Sequence, residues 1–574
     1  MTFRGLVDFA RAPAEAAVFA DVRLDNREEL IRLLEGIDGI DKITAGSSDA
    51  ELILAAYLRW GDSCPEHLLG DFAFAIWDPR RRQLFCARDP LGLKVLHYAW
   101  AGSLLVFASE VEGVLEHPAI SRRLDEVSVG DYLAGSLGEP GRTFFQSVHR
   151  LPPAHRLVAT RDGGRVERWW DLDPERRTVY RRTEEYTSHF LDLFEQSVEA
   201  RLRTPAGPVG VLMSGGLDSG SVAAVARRRL QGKASPELFA GSFVFERLRE
   251  CDEREPILAV AAHLGMETDL VEAERFPILG DSNRPGLATP FLAWEGGFRE
   301  LLRKVKGRGA QVLLTGHGGD DLMAGSPFTY ADRLRRGDLR AVAEVARHAA
   351  SRGRSWRWIL YNYLARPLLP LTPPRAEPPA WIDPAFARRT GLKERLRASF
   401  PRRFQETARQ ALYERFLQTP WERVAHWYDR SAAPYGIGVR HPFLDRRLLE
   451  LVFSIPPERL FRAGQSKPLL REAMAGLLPE SVRLRQTRTR LGSFLDLSLR
   501  ESQRGTVEAL LASPMAAGLG FLDGERLRAE YRRYLEGEPS EAQRALWYAI
   551  TLEIWLRHHG TFLRPGAVES RPAA

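Results

Sequence analysis

The chain has 574 residues, 82 Lys or Arg against 75 Asp or Glu, a formal charge of +7 and a pI of about 9.3. At that length two or more hydrophobic cores are expected, and 44% hydrophobic with 27% charged residues is ordinary for a globular protein. No apolar run approaches the roughly 18 residues of a membrane span, and three cysteines (Cys64, Cys86, Cys251) at no disulfide or zinc spacing exclude a cross-linked scaffold and predict a reducing cytoplasm.

The start, MTFRGLVDFARAPAEAAVF, has no basic stretch leading into an apolar one and does not read as a secretory signal. From Met1 to about Asp171 short segments rich in β-branched and aromatic residues follow one another: VFADVRL, FAFAIWD, QLFCARD, KVLHYAW and LLVFASE. Punctuated by Gly, Asp-Pro and Arg-Arg, they predict a layered antiparallel structure. Helices are expected at Arg27–Glu35 and Asp49–Trp60, the second capped by Ser47 or Ser48. The stretch RWWDLDPERR is the expected connector, with Trp169 and Trp170 as a packing pair between domains.

The rhythm changes from about Glu184. PVGVLM predicts a strand, SGGLDS a turn, GSVAAVARRRL a helix, LFAGSFVF a strand, DEREPILAVAAHLG a helix and QVLLTG a third strand running into HGGDD. Strands alternating with helices predict a parallel sheet covered on both faces. Beyond Ala324 the chain reads as mainly helical and Arg-rich, with a proline-dense surface loop, ARPLLPLTPPRAEPPAW. The basic residues are nearly all arginine, scattered among acids as in Arg227-Arg228-Arg229. No nucleic-acid reader motif accompanies them, so a solvated surface is expected.

The chemistry concentrates in Ser214-Gly215-Gly216-Leu217-Asp218-Ser219, between a strand and a helix. Glycines let backbone amides approach an anion, and the amides at a helix start point at it with a favourable dipole. Ser214 and Ser219 add hydroxyl donors, and Asp218 can hold a magnesium ion bridging phosphate oxygens. No lysine sits in the turn, so this is not the Walker pattern.

The hexapeptide is similar to the loop of the ATP-pyrophosphatases, and the chain resembles asparagine synthetases over nearly its whole length. The resemblance rests on SDAELILAAYLRWGDSCPEHLLGDFAFAIWD, LFCARDPLGLKVLHY and FASEVEGVLEHP in the first half. In the second half it rests on VLMSGGLDS, LLTGHGGDDLMAG, VRHPFLDRRLLELVFSIPPE and SKPLLREAMAGLLPESVRLRQ. It implies an α/β protein of two domains. Residues 1–171 would form an α+β layered domain of class II glutamine amidotransferase (Ntn) type, and residues 184–570 a Rossmann-like ATP-pyrophosphatase domain with helical additions. ATP and Mg2+ are the implied cofactors, with AMP transferred to a carboxylate. Asp218 and Asp320 match the acids that coordinate magnesium; Leu212, Phe243 and Gly316 fall where the backbone frames adenosine. Lys467, one of only seven lysines, matches the lysine that neutralises pyrophosphate.

The departures set the expected reaction. Glutamine-using relatives begin Met-Cys-Gly, whereas this chain begins Met1-Thr2-Phe3-Arg4, and their Asn-Gly-Glu falls on Asp21-Val22-Arg23. A first domain without glutaminase activity is therefore expected. Ammonia from solution or an amine already on the substrate would then displace AMP. The second option resembles β-lactam synthetases and lasso peptide cyclases. At Gly316-His317-Gly318-Gly319-Asp320 the histidine stands where asparagine synthetases commonly show Glu and β-lactam synthetases a catalytic Tyr. An imidazole with a reference pKa of about 6.5 could relieve an amine of its proton, or could merely pack in the loop. The resemblance favours a lasso peptide cyclase acting on a precursor peptide, with a leader-peptide recognition protein and a leader peptidase as partners. An ammonia-dependent asparagine synthetase-like enzyme or a β-lactam synthetase is the alternative, and a non-catalytic protein that kept the fold is the second. Neither nucleic acid nor membrane insertion is expected.

Overall fold

The computed structural model describes residues 8–11, 16–36, 43–204, 207–231, 237–279, 285–291, 294–351, 355–368, 377–398, 403–487, 489, 492–537 and 540–560. Met1 to Arg4, on which the absence of Met-Cys-Gly was read, lie outside them.

The first half contains β1 (Asp8–Arg11), β2 (Ala17–Leu24), β3 (Gly70–Asp78), β4 (Gln83–Arg88), β5 (His97–Ala101), β6 (Leu104–Ala108), β7 (His149–Arg150), β8 (His155–Thr160) and β9 (Gly163–Arg168). They form two antiparallel sheets, ordered β1-β2-β3-β4-β8-β9 and β6-β5-β7. Strand β3 shows why they stack. Successive side chains of a strand point to opposite faces. Phe72, Phe74 and Ile76 accordingly bury against Leu52, Ile53 and Ala56 of the helix Asp49–Trp60. Ala73 and Ala75 face the other way, onto Leu96 and Leu151 beneath the smaller sheet. The small residues there let the two sheets approach.

The helix Asp49–Trp60 begins as the sequence predicts. Ser48 accepts from the Glu51 amide at 3.2 Å, and Glu51 accepts from the Ser48 amide at 2.6 Å, closing a capping box. KVLHYAW becomes strand only from His97. Ahead of it the buried Arg88 guanidinium gathers the carbonyls of Gly92, Lys94 and Leu151, which holds residues 89–96 in a loop.

The second half builds one parallel sheet from β10 (Val209–Leu212), β11 (Leu238–Val244), β12 (Glu267–Glu272), β13 (Val312–Thr315) and β14 (Gly438–Arg440), ordered β12-β11-β10-β13-β14. Val209, Val211, Leu238, Ala240, Val312 and Leu314 face one apolar cluster, shared with the helix Leu217–Leu230. Phe239, Leu313 and Val439 face the other, against the helix Glu295–Gly307. Both faces are covered, as the alternation of strands and helices requires.

The halves are not independent cores. Val111, Tyr132 and Phe144 of the first half join Ile550 and Trp555 of the helix Ser540–His559 in one cluster, and the Tyr132 hydroxyl bonds Thr551 Oγ1 at 2.7 Å. Trp169 packs on the first-half core and donates to the Arg88 carbonyl. Trp170 packs on the second-half core and donates to Glu450. No helix among the described residues is long and apolar enough to cross a membrane.

Candidate active site

Strand β10 is the first strand of its sheet, and later strands lie on both sides of it, β11 on one and β13 on the other. Chains leaving β10 and β13 therefore diverge and open a crevice at the carboxyl ends of the strands, where ligands of such sheets bind. Leu212 ends β10, Phe243 lies near the end of β11, and Gly316 follows β13. The three residues read as framing adenosine thus sit at or just past the ends of three neighbouring strands, Phe243 against the Trp294 ring with centroids 4.6 Å apart.

Two loops meet in the crevice. In the first, Gly215 has φ +67°, and a Cβ there would lie 2.9 Å from Pro256 Cγ. Only glycine takes both the left-handed conformation and the contact. The Ser214 amide donates to Ser219 Oγ at 3.1 Å, folding the turn onto the first residues of the helix Leu217–Leu230, whose amino end faces the crevice. In the second loop a Cβ on Gly316 would lie 2.5 Å from the Ser219 amide nitrogen, and one on Gly319 2.5 Å from Asp218 Cγ. Gly316 thus meets the backbone of the first loop, and Gly319 the Asp218 side chain, because both lack side chains of their own.

Lys467 closes the site from a third direction. Its ammonium pairs with Asp218 and lies 2.7 Å from Asp320 Oδ1. The residue is 4% exposed and sits at φ +52°, unusual for a side chain larger than glycine, immediately before Pro468 at the start of the helix Pro468–Ala473. Leu469 and Leu470 behind it are buried in the sheet's core and fix where the lysine points. Asp218, Asp320 and Lys467, far apart in sequence, thus converge on one point.

The donor set fits magnesium. Two carboxylates reach the position now held by one ammonium, and among the described residues no group of three or more His, Cys, Asp or Glu is gathered for a metal. Magnesium bound through one or two carboxylates plus substrate phosphates needs no larger protein cage.

His317 follows β13, its amide donating to Thr315 Oγ1 at 3.2 Å. Its imidazole lies among aromatic rings that the sequence did not single out: Trp421 at 5.5 Å, Tyr428 at 6.3 Å and His441 at 5.6 Å between centroids. Burial pushes the His317 imidazole down to about 4 and the Tyr428 phenol up to about 12, so both are neutral near pH 7. His317 Nε2 is buried with no hydrogen-bond partner among the described residues, a costly state for a polar atom unless a ligand meets it. His441, held neutral by burial and then by the neighbouring His317, bonds Thr315 Oγ1 through Nδ1 at 2.7 Å. Trp421 and Tyr428 stand on the helix Trp421–Ala432, whose spacing shows no site pattern; only the block VRHPFLD signals His441.

The first half carries a buried cluster of charges. Arg23 is buried, pairs with Asp25, and lies 2.8 Å from Asp71. Arg201, from the helix Thr183–Leu202, enters the same acids, 3.2 Å from Asp25 Oδ2 and 3.7 Å from Asp71 Oδ1. Nearby, Lys94 bridges Asp21 at 3.2 Å and Asp429 at 2.7 Å, tying the two halves together. Two guanidinium groups thus pair with Asp25 and Asp71 beside the Asp21-Val22-Arg23 segment.

Comparison with known proteins agrees with this architecture. Residues 189–557 match the family described as asparagine synthase, and residues 27–170 match the glutamine amidotransferase domain. The chain is 27% identical over 473 residues to asparagine synthetase [glutamine-hydrolyzing] 3 of Bacillus subtilis, covering 77% of this chain and 70% of that one. It is 26% identical over 489 residues to amidase chry2 of Gibberella zeae, covering 76% and 71%. A solved structure, the glutamine phosphoribosylpyrophosphate amidotransferase of B. subtilis, matches at 14% identity with a TM-score of 0.20 over 58% of this chain and 61% of that one, too slight a likeness to carry an argument.

Proposed function

Because the chain belongs to the asparagine synthase family, an ATP-dependent amide-forming family, we propose that it adenylates a carboxylate of a precursor peptide and closes a lasso-type macrolactam with that peptide's own N-terminal amine. The observation that supports this reading is the buried charge cluster of the first half. Arg23 and Arg201 are paired with Asp25 and Asp71, which favours an amine from a source other than glutamine. A second amine on the activated molecule is the source that needs no further site, and bringing both ends of one chain together gains the rate advantage of an intramolecular step.

The residues divide the work. The amides and hydroxyls of Ser214 to Ser219 bind the phosphates at the helix start. Asp218 and Asp320 would hold Mg2+, which when bound offsets charge on the phosphate oxygens. Lys467 faces the leaving pyrophosphate from the same point and stabilises the charge that builds as the carboxylate oxygen meets the α-phosphorus. His317 Nε2, neutral and unsatisfied, accepts a hydrogen bond from the incoming amine and orients its lone pair on the acyl carbon. The rings of Trp421 and Tyr428 exclude water beside it. A leader-recognition protein and a leader peptidase belong to this reading as the partners that would supply the trimmed peptide.

Intact-mass analysis of candidate core peptides incubated with the protein, ATP and Mg2+ tests it. The expected result is loss of one water from the peptide with release of AMP and pyrophosphate. Amide formation from free aspartate and ammonium, with every peptide unchanged, would overturn the cyclase reading.

A further inference from the structure

The buried charge cluster lies at one end of a run of polar contacts carried through segment 441–445, and the His317 amide lies at the other. Asp25 and Asp71 of the first half hold Arg201 of the second. Arg201 in turn holds the segment His441–Asp445. It donates to the Leu444 carbonyl at 3.0 Å, lies 3.2 Å from Asp445 Oδ2, and donates to Ser197 Oγ at 2.7 Å. The Ser197 hydroxyl donates onward to the Pro442 carbonyl at 2.6 Å. Arg201 is 1% exposed, so these contacts are unscreened by water and costly to break.

Segment 441–445 is also the bed of the candidate catalytic loop. Gly318 rests on it so closely that a Cβ there would lie 2.6 Å from Leu444 Cδ2. His441 bonds Thr315 Oγ1, which accepts from the His317 amide. With His441 neutral, the Thr315 hydroxyl can donate to Nδ1 while accepting from His317, so both bonds are made at once. The bed therefore fixes His317 by packing under Gly318 and by hydrogen bonding through Thr315.

We propose that Arg201, paired with the acids of the first half, is a positioning residue for His317, so that this half contributes to the second site as its orienting frame and not as a source of ammonia. The catalytic consequence rests on His317 meeting the amine, as read above; the positioning itself does not.

The test uses the full chain with histidine labelled at Cε1 and bound to ATP and Mg2+. The His317 resonance is identified by its loss in His317→Gln. Asp25→Asn removes a charge from the first half without touching the second site, and Thr315→Val removes the hydroxyl between the His441 imidazole and the His317 amide. Both are expected to move the His317 resonance, and Thr315→Ser to restore it. A His317 resonance unmoved by Asp25→Asn would overturn the proposal. Should Asp25→Asn fail to fold, Asp25→Glu, which keeps the charge but displaces it, is expected to shift the resonance, and an unmoved signal again overturns the idea. With a productive substrate, Asp25→Asn is expected to lower kcat about tenfold or more at unchanged KM for ATP. The resonance decides the matter even if no peptide proves to be a substrate.

Discussion

At the scale of the residue, His317 carries the most specific chemistry and the sharpest constraint on it. Its imidazole sits at about 4 through burial, while a peptide α-amine has a pKa near 7.7–8.0. Transferring a proton from ammonium to this imidazole is uphill by roughly 4 units, or ~5 kcal/mol. The geometry therefore suits an acceptor that orients an already neutral amine. The rate of amide formation between pH 6 and 9 is expected to rise along the titration of the amine, with no step at an imidazole. His317→Ala is expected to slow amide formation about a hundredfold, as loss of positioning does, and to leave ATP–pyrophosphate exchange intact. Equal loss of both activities would place the histidine in nucleotide binding instead. The sequence located the residue by its loop. Its desolvation came from Trp421, Tyr428 and His441, which no spacing linked to it.

Among the elements, the contact between the loops after β10 and β13 decides whether the crevice exists. Gly316→Ala would place a methyl 2.5 Å from the Ser219 amide nitrogen, against backbone that has no flexible end to move. A cost of about 1–3 kcal/mol is expected from such overpacking, read as a lower unfolding midpoint, together with loss of ATP binding by calorimetry. A variant that binds ATP as tightly as the parent would show that the loops separate freely. Elements with a strong local pattern were legible: the capped helix Asp49–Trp60 and the apolar strands β10, β11 and β13. Strand β12, with the polar sequence ETDLVE, and β14, three residues long, are edges of the sheet and lack that pattern. They are strands because the neighbours β11 and β13 offer them ladders.

For the whole molecule, the buried charges between the halves bear on stability. Arg23→Ala would leave Asp25 and Asp71 with Arg201 as their remaining guanidinium partner. Removing one partner of a buried ion pair costs about 3–5 kcal/mol, so a large drop in denaturant midpoint is expected, with no glutaminase activity gained. Acid acts through the buried histidines. Burial lowers His317 and His559 from 6.5 to about 4 and His97 to about 3. As pH falls below 6.5 the unfolded chain takes up protons that the folded chain refuses. The stability from these groups is therefore complete above 6.5 and is lost toward about 4, and toward about 3 for His97. His426 opposes this: burial lowers it, but Glu110 at 3.0 Å outweighs burial and raises it, so its contribution is present in acid and lost as pH rises through its raised value. Thermal melts from pH 7 to 4 are expected to fall; a flat profile would mean that the depressed imidazoles do not outweigh the opposing groups.

The sequence by itself determined the fold class and the strand-turn-helix at the crevice, and it named Asp218, Asp320 and Lys467, which the structure brings together. Each of those rests on a local pattern or an ordered block, and local patterns survive in one dimension. Only the tertiary structure decided that Arg201 pairs with the acids of the first half, that segment 441–445 underlies the loop after β13, and that the two halves share a core through the helix Ser540–His559. Arg201 lies more than a hundred residues from Asp25 and from Asp445, and scattered arginines among acids look alike in a chain this rich in arginine. Burial is what distinguishes one of them. It is a property of the packed molecule, because desolvation depends on everything that surrounds the charge and not on its neighbours in sequence.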